Sequence, residues 1–576
     1  MPEDKELTGY PSIDKPWLKY YSETAIHAKM PECSAYDYIV DINQKRLDKP
    51  ALNYFGKRTT YREMIRQIDR CASALKACGV KRGEIISVSL PNTPEAVYLF
   101  YAISKLGAIA NMIDPRSSSD GIAAYINETN STRLFAVDLI AGKIKEIETK
   151  THLEQIITVS PGNSLPAHLR ALLSIKNRLS GFKNTYTEWN EFMHNASHCT
   201  ADAPKLEGLS NEAVMIVHTG GTTGSPKGVL ISNRNINAIP FQSLQFPTDL
   251  QSKHIWLDIM PPFIAYGIGS GLHFPLAIGQ EVVLIPAFKP EELDKLILKY
   301  KPNHITGVPS HWHYLINSKR LANKDLSFLI TCCVGGDTTS SNLEIAANEF
   351  LSAHHCSYKI AKGYGMTEVN GSIGRTTNDN NPIGSVGIPF AHSIVKVCDP
   401  ETGKELEYNE VGEIYLSGPS VMLGYYNNLE ETKRIKIQDE NGDCWIKSGD
   451  LGYMTEDGNI FINDRIKRMI VRHDGFKVFP SMIENAVSSH AAVEQCCAIG
   501  IADNAHNQGK VPSVYVMLTS AFRGRERQIE QELVALCQKE LPEYAQPVEW
   551  HFRENLPLTS IGKIDYRALE EKAREN

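Results

Sequence analysis

Residues 214–228 read VMIVHTGGTTGSPKG, a strand-like stretch that runs straight into a series of turn formers. VMIVH is short, β-branched and uninterrupted, the pattern of a strand covered on both faces. Behind it stand Thr219, Gly220, Gly221, Thr222, Thr223, Gly224, Ser225, Pro226, Lys227 and Gly228. The glycines let backbone amides approach an anion closely, the hydroxyls add donors, and Lys227 adds a positive charge. That is the chemistry of a phosphate cradle. It is not a P-loop, because GxxxxGK[ST] needs Gly where Pro226 stands, and it is not GxGxxG. The competing reading is a solvated surface turn, since Gly, Ser, Thr and Pro also fill ordinary loops.

Similar apolar runs lie on both sides: IISVSLP (85–91), LFAVD (134–138), IITVS (156–160) and VVLIP (282–286). They alternate with amphipathic stretches and so predict mostly parallel sheets covered by helices, an α/β class. Between 379 and 465 the texture changes to Gly-punctuated segments such as VGEIYLSGP and DGNIFIND, which predict a β-rich subdomain. The run Asp464, Arg465, Ile466, Lys467, Arg468 follows. After the strand-like FKVFP, Ser481 and Glu484 have capping-box spacing for a helix. A domain boundary is expected here, with a large multi-subdomain N-terminal domain over 1–464 and a small α+β C-terminal domain over 465–576.

The chain has 576 residues, well beyond the ~150 of a typical domain, so more than one folded unit is expected. Charged residues at 22 % and hydrophobic residues at 42 % fit neither disorder nor a coiled coil. Sixty basic against 67 acidic residues leave a formal charge of −7, which argues against a nucleic-acid partner. No long apolar window predicts a membrane span, and MPEDKELTGY lacks a signal-peptide pattern, so a cytoplasmic protein is expected. Twelve cysteines, with Cys332–Cys333 and Cys496–Cys497 adjacent and no CxxC spacing, read as reduced, mostly buried thiols. His304, His311, His313, His354 and His355 invite comparison with a metal centre, but His311 and His313 would diverge on a helix and no acidic or Cys ligand stands at metal spacing.

The segment 219–228 resembles the signature loop of the adenylate-forming superfamily, which includes acyl-CoA synthetases, luciferases and the adenylation domains of peptide synthetases. Three further stretches match in the same order. Residues 363–368, GYGMTE, resemble its YGxTE motif; Ser448-Gly449-Asp450 resembles its SGD motif, with Asp464-Arg465 opening its hinge; and LPLTSIGKID (556–565) resembles LPxTxxGK. Weaker similarity at TYREM (60–64) and LPNTPEA (90–96) extends the resemblance over nearly the whole chain.

The resemblance implies that a carboxylate attacks the α-phosphorus of ATP, giving an acyl adenylate and pyrophosphate, and that a thiol then attacks the mixed anhydride. Two anions must meet, so catalysis needs positive charge at the phosphorus, a metal on the phosphates and a grip on the ribose. By the same resemblance Lys563 reaches the carboxylate and α-phosphate, Glu368 binds Mg, and Thr367 meets the α-phosphate, with Lys227 and the loop 219–224 around the phosphates. Tyr364 and Gly365, with Gly335, Gly336 and Asp337, line the adenine pocket, and Asp450 takes the ribose hydroxyls with Arg465 beside it. Ile264, Tyr266 and Gly363 fall at the acid site. The C-terminal domain becomes a mobile lid with two poses, pivoting at Lys467, with Gly475 lining the thiol tunnel in the second.

The chain also departs from the family pattern. PPFIAYG (261–267) puts Ile264 where a His is usual, so an aromatic gate over the carboxylate is expected to be missing. The loop between Ile470 and Gly475 is one residue longer than is common, and Lys477 stands where Gln is frequent. Lys362 occupies a position where Gln or Asn is common; it either pairs with a polar group of the substrate or, as is expected of a long cationic side chain, snorkels to solvent. The sequence therefore points to an ATP-, Mg- and CoA-dependent carboxylic acid–CoA ligase acting on an apolar acid, of medium or long chain or with a ring. An enzyme loading an acyl-carrier protein shares these motifs, because CoA ends in the same pantetheine arm. A catalytically silent nucleotide-binding protein is the rival of another class, and a luciferase-like oxidative fate is more distant.

Overall fold

The computed structural model describes residues 7–180, 185–194, 206–219, 227–503, 505–506, 508–559 and 563–575. Two large sheets build the N-terminal domain. One holds eight strands, in the order Gly424–Tyr425, Gly228–Ser232, Ala213–His218, Ile109–Met112, Ile85–Ser89, Arg133–Val137, Gln155–Val159 and Thr187–Glu188. Its neighbours run parallel except at Gly228–Ser232, which pairs antiparallel on both sides. Four of the five apolar runs read from the sequence fall in it, and Val214 to Val217 are at most 1 % exposed, as a strand covered on both faces requires. The loop that opened the sequence reading joins the hairpin Ala213–His218 and Gly228–Ser232. Its ends meet where the Thr219 N–H donates to the Lys227 carbonyl at 3.0 Å. Gly220, Gly221, Thr222, Thr223, Gly224, Ser225 and Pro226 lie outside the described residues.

The second sheet, of 14 strands, changes character partway along. Glu281–Leu284, Ile255–Asp258, His304–Gly307, Thr331–Val334 and Ile360–Tyr364 pair in parallel. From Gly374–Arg375 onward the ladder is antiparallel, through Ser385–Pro389, Ile460–Arg465, Cys444–Met454, Gly412–Ser417 and Ile394–Cys398. This is the β-rich subdomain that the glycine punctuation predicted. The GYGMTE turn sits at the join between the two regimes, at the carboxyl end of the strand Ile360–Tyr364, the kind of position where open α/β sheets bind ligands.

The C-terminal domain has its own three-stranded sheet, Val493–Ala502, Lys510–Leu518 and Glu549–Phe552, and a core separate from the N-terminal one, running from Ile470 to Ala545. Helices Pro480–Ser488, Glu526–Glu540 and Tyr566–Glu575 accompany it. The expected capping box at Ser481 and Glu484 does not form. Phe479 is the N-cap and makes no side-chain cap bond, while Pro480 presets the first turn. The Ser481 N–H donates instead to Asp464 Oδ2 at 2.7 Å, and Glu484 is held by Arg468 and by the Ala498 N–H at 2.9 Å. The cap is thus a carboxylate from the inter-domain run. Among the described residues no two cysteines form a disulfide and Cys444 alone is exposed, and no helix is long and apolar enough to cross a membrane.

Candidate active site

A cavity of about 1640 Å³ lies between the two domains and gathers every described residue singled out from the sequence as a site candidate except Gly475. Asp450 and Arg465 come to it as register partners on adjacent antiparallel strands. Arg465 Nε donates to Asp450 Oδ1 at 2.9 Å, and the Tyr364 hydroxyl donates to Oδ2 at 2.7 Å. Asp450 is 4 % exposed, so both oxygens are oriented by the protein before any ligand arrives, and each retains a lone pair for a further donor. Tyr364 is buried, and burial beside Asp450 pushes its phenol well above the ordinary value. The following Gly365 is dictated by close approach: a Cβ there would lie 2.4 Å from the Gly371 carbonyl oxygen.

Thr367 and Glu368 form the next turn, Thr367–Val369. Glu368 Oε1 accepts the Tyr425 hydroxyl at 2.7 Å, and burial raises its carboxyl above the usual range. Lys227 caps the same corner, ion-paired with Glu431 and 5.0 Å from the centre of the Tyr425 ring. Glu368 fits a magnesium ion bound with phosphate: it is one desolvated carboxylate with a single protein donor on it, beside hydroxyl groups, and Mg binds through one or two carboxylates plus substrate phosphates. Nothing local marks Tyr425 or Glu431 in the sequence, because their relation to Glu368 and Lys227 exists only once Gly424–Tyr425 pairs with Val229–Leu230.

Lys563 reaches the cavity from the C-terminal domain, on a loop closed by its N–H to Thr559 Oγ1 at 3.1 Å and by the Thr559 N–H to its own carbonyl at 2.7 Å. Burial depresses its ammonium, countered by Asp337 and Asp450 and reinforced by Arg465. Asp337, Asp450 and Arg465 all line the cavity, so Lys563 stands among them. Gly335, Gly336, Asp337 and Thr219 line the same space, as do Ile264, Tyr266 and Gly363, the last two against the Gly335 wall. An aromatic does stand at that wall although Ile264 replaces a ring: Tyr266 Oη lies 3.3 Å from where a Gly335 Cβ would be. Lys467 also lines the cavity, its ammonium depressed by burial and by Arg434 and Lys227. Gly475 does not. It lies on the exposed turn Arg472–Phe476 at φ +84°, a conformation that glycine alone adopts without strain, and no atom comes within 4 Å of where a Cβ would stand.

Lys362 corrects the sequence reading. It does not reach solvent: it is 4 % exposed, and its ammonium is paired with Glu344 and donates to the Pro382 carbonyl at 2.7 Å. Glu344, itself fully buried, also accepts the Gly384 N–H at 3.0 Å. The histidines behave as structural groups. His254 and His304 bond each other at 3.0 Å, and burial lowers His311 to about 4. The one set of three with convergent metal-ligand atoms among the described residues is His473, Asp503 and His506, outside this cavity.

Comparison with known proteins places the chain in a family. The family model of AMP-binding enzymes matches residues 40–426, and that of the AMP-binding enzyme C-terminal domain matches 482–563. A long-chain-fatty-acid–CoA ligase of Bacillus subtilis is 27 % identical over 98 % of this chain and 99 % of its own. A probable 4-coumarate–CoA ligase 1 of Dictyostelium discoideum is 30 % identical over 88 % of each. Among solved structures, an anthranilate CoA ligase in complex with anthranoyl-AMP superposes with a TM-score of 0.82 over 94 % of this chain and 98 % of its own, at 22 % identity.

Proposed function

Since the chain belongs to the family of AMP-binding enzymes, we propose that it is an ATP-dependent acid–CoA ligase, forming an acyl adenylate and pyrophosphate and then an acyl thioester and AMP. The observation that carries this reading is the meeting of Lys563 with Glu368 and the Asp450–Arg465–Tyr364 cluster in one cavity. A carboxylate oxygen attacks the α-phosphorus and pyrophosphate leaves. Lys563 supplies positive charge where two anions approach, and Thr367 offers a hydroxyl to the α-phosphate. Glu368 would hold magnesium, whose role there is to neutralise phosphate charge. Asp450, pre-oriented by Arg465 and Tyr364, accepts the ribose hydroxyls. Lys227 and the loop 219–224 receive the β- and γ-phosphates.

The acid enters past Tyr266 and Gly363, between apolar walls that include Ile239, Phe263, Ile264 and Phe274. An apolar-bodied acid suits them, in keeping with relatives named for long-chain fatty acids and for 4-coumarate. Residues 465–576 act as a lid in this account. Lys467 is the pivot, and a second pose brings Gly475 to the thiol path. The test is a panel of acids assayed for pyrophosphate release, repeated with CoA or an acyl-carrier protein as acceptor. Release that needs both ATP and an acid, followed by thioester formation on CoA, supports the ligase. Thioester formation on the carrier protein alone would reassign the acceptor.

A further inference from the structure

The structure contains a buried cation that the adenylation chemistry does not use. Arg375 lies on the short strand Gly374–Arg375, in register opposite Gly363, and is 7 % exposed. Its Nη2 donates to Thr248 Oγ1 at 3.3 Å and its guanidinium sits 4.5 Å from the centre of the Phe246 ring. Its buried Nε has no acceptor. The ionisable groups that bear on it are the Cys333 thiol, the Tyr21 and Tyr266 phenols and the His304 imidazole, none of them a carboxylate, and burial lowers its pKa. Burial also raises the Cys333 thiol and pushes the Tyr266 phenol well up, so near neutral pH they bring no negative charge.

Elsewhere this fold pairs its buried and mostly buried cations: Lys362 with Glu344 and Arg468 with Glu484. A desolvated guanidinium without a counter-charge is costly, and a ligand that supplies the anion would offset that cost. Arg375 is placed for that. It lines the same cavity as Tyr266 and Gly363. A Cβ on Gly363 would lie 3.9 Å from Cys333 Sγ and 4.0 Å from Arg375 Cβ, so the missing side chain leaves an opening toward the arginine. Two more unpartnered polar atoms, Trp256 Nε1 and Thr306 Oγ1, belong to residues of this cavity.

We propose that Arg375 is a subsite for a second oxyanion, and that the acid activated here carries a carboxylate at the end remote from its reacting one. This rests on the ligase reading above and refines it: an apolar body with a charged far end. A guanidinium accepts a carboxylate through two parallel hydrogen bonds, whereas a methyl-ended acid of equal length would leave it desolvated and unpaired. Discrimination on the order of 100-fold or more follows, because a polar site left unmatched penalises the wrong substrate.

The test compares α,ω-dicarboxylic acids with monocarboxylic acids of matched length in pyrophosphate release, using the wild type, Arg375→Met and Arg375→Lys. Thermal midpoints are measured for each protein without ligand and with each acid. The wild type should favour a dicarboxylate by on the order of 100-fold in kcat/KM. Arg375→Met should erase that preference while melting no lower than wild type without ligand, and Arg375→Lys should keep part of it. An unchanged preference in Arg375→Met, a wild type that prefers monocarboxylates, or an Arg375→Met protein that melts well below wild type would each overturn the subsite. The last result would make Arg375 a structural prop on Phe246. If no acid supports pyrophosphate release, the ligase reading fails, and the melting data still decide Arg375: dicarboxylate-specific stabilisation lost in Arg375→Met supports the subsite, and its absence from the wild type overturns it.

Discussion

Replacing Lys362 with methionine strands Glu344 where no water reaches it. The two side chains are 4 % and 0 % exposed, so neither charge can be solvated in place. The stranded carboxyl then protonates. At pH 7 this costs about 3.7 kcal/mol, being 1.36 kcal/mol for each of the ~2.7 units between pH 7 and an ordinary glutamate. That falls within the range of ~3–5 kcal/mol for breaking a buried pair. Because the folded variant binds this proton more tightly than the unfolded chain does, its stability deficit grows as pH rises and shrinks to about 1 kcal/mol at pH 5. Adding Glu344→Leu removes the stranded acid and should return stability to within about 1–2 kcal/mol of wild type, the remaining loss being the Gly384 and Pro382 hydrogen bonds. Urea unfolding of the four proteins at pH 7 and pH 5 measures the cycle. A Lys362→Met cost below about 1 kcal/mol at pH 7, or one that does not change with pH, would refute the reasoning.

Lys563→Ala should lower adenylation on the order of 100- to 1000-fold, read as acid-dependent pyrophosphate release, with an unchanged thermal midpoint. The pH profile of kcat/KM should have both limbs displaced inward. Burial raises Glu368, so its carboxylate is lost above the usual acid range as pH falls, and burial lowers Lys563, so its charge is lost below the usual lysine range as pH rises. Limbs at ordinary carboxylate and lysine values would contradict the buried placement of both groups. Gly475→Leu forces a branched residue to φ +84° in a turn that does not line the present cavity. It should leave pyrophosphate release within a few-fold of wild type while transfer from preformed adenylate to CoA collapses, and Lys467→Pro should follow the same pattern by fixing the pivot. Equal loss in both half-reactions would remove the two-pose lid.

The uninterrupted strands were the legible part of the fold, because burial on both faces leaves no polar interruptions to disguise them: Ile85–Ser89, Arg133–Val137 and Ala213–His218 stand where their apolar runs said. The site was legible where its residues sit in contiguous motifs, as with Tyr364, Thr367 and Glu368. What escaped was pairing across the chain. Lys227 meets Glu431 over 204 residues, and Glu368 meets Tyr425 over 57, through a strand pair that local pattern cannot reveal. Lys362 read as a solvent-seeking lysine because Glu344 lies 18 residues away on the helix Ser341–Ala353. Ser481 and Glu484 have the right spacing for a capping box, yet Asp464 and Arg468 compete for both and win with charge-assisted bonds.

If Lys563, Glu368 and Asp450 converge to activate a carboxylate on the α-phosphorus of ATP, the nucleotide products must show it. Chromatography after incubation with ATP, magnesium, CoA and the acid panel separates those products. AMP and pyrophosphate should appear in equal amounts, only with an acid present, and both should be lost in Lys563→Ala. ADP and phosphate as the products would contradict the assignment.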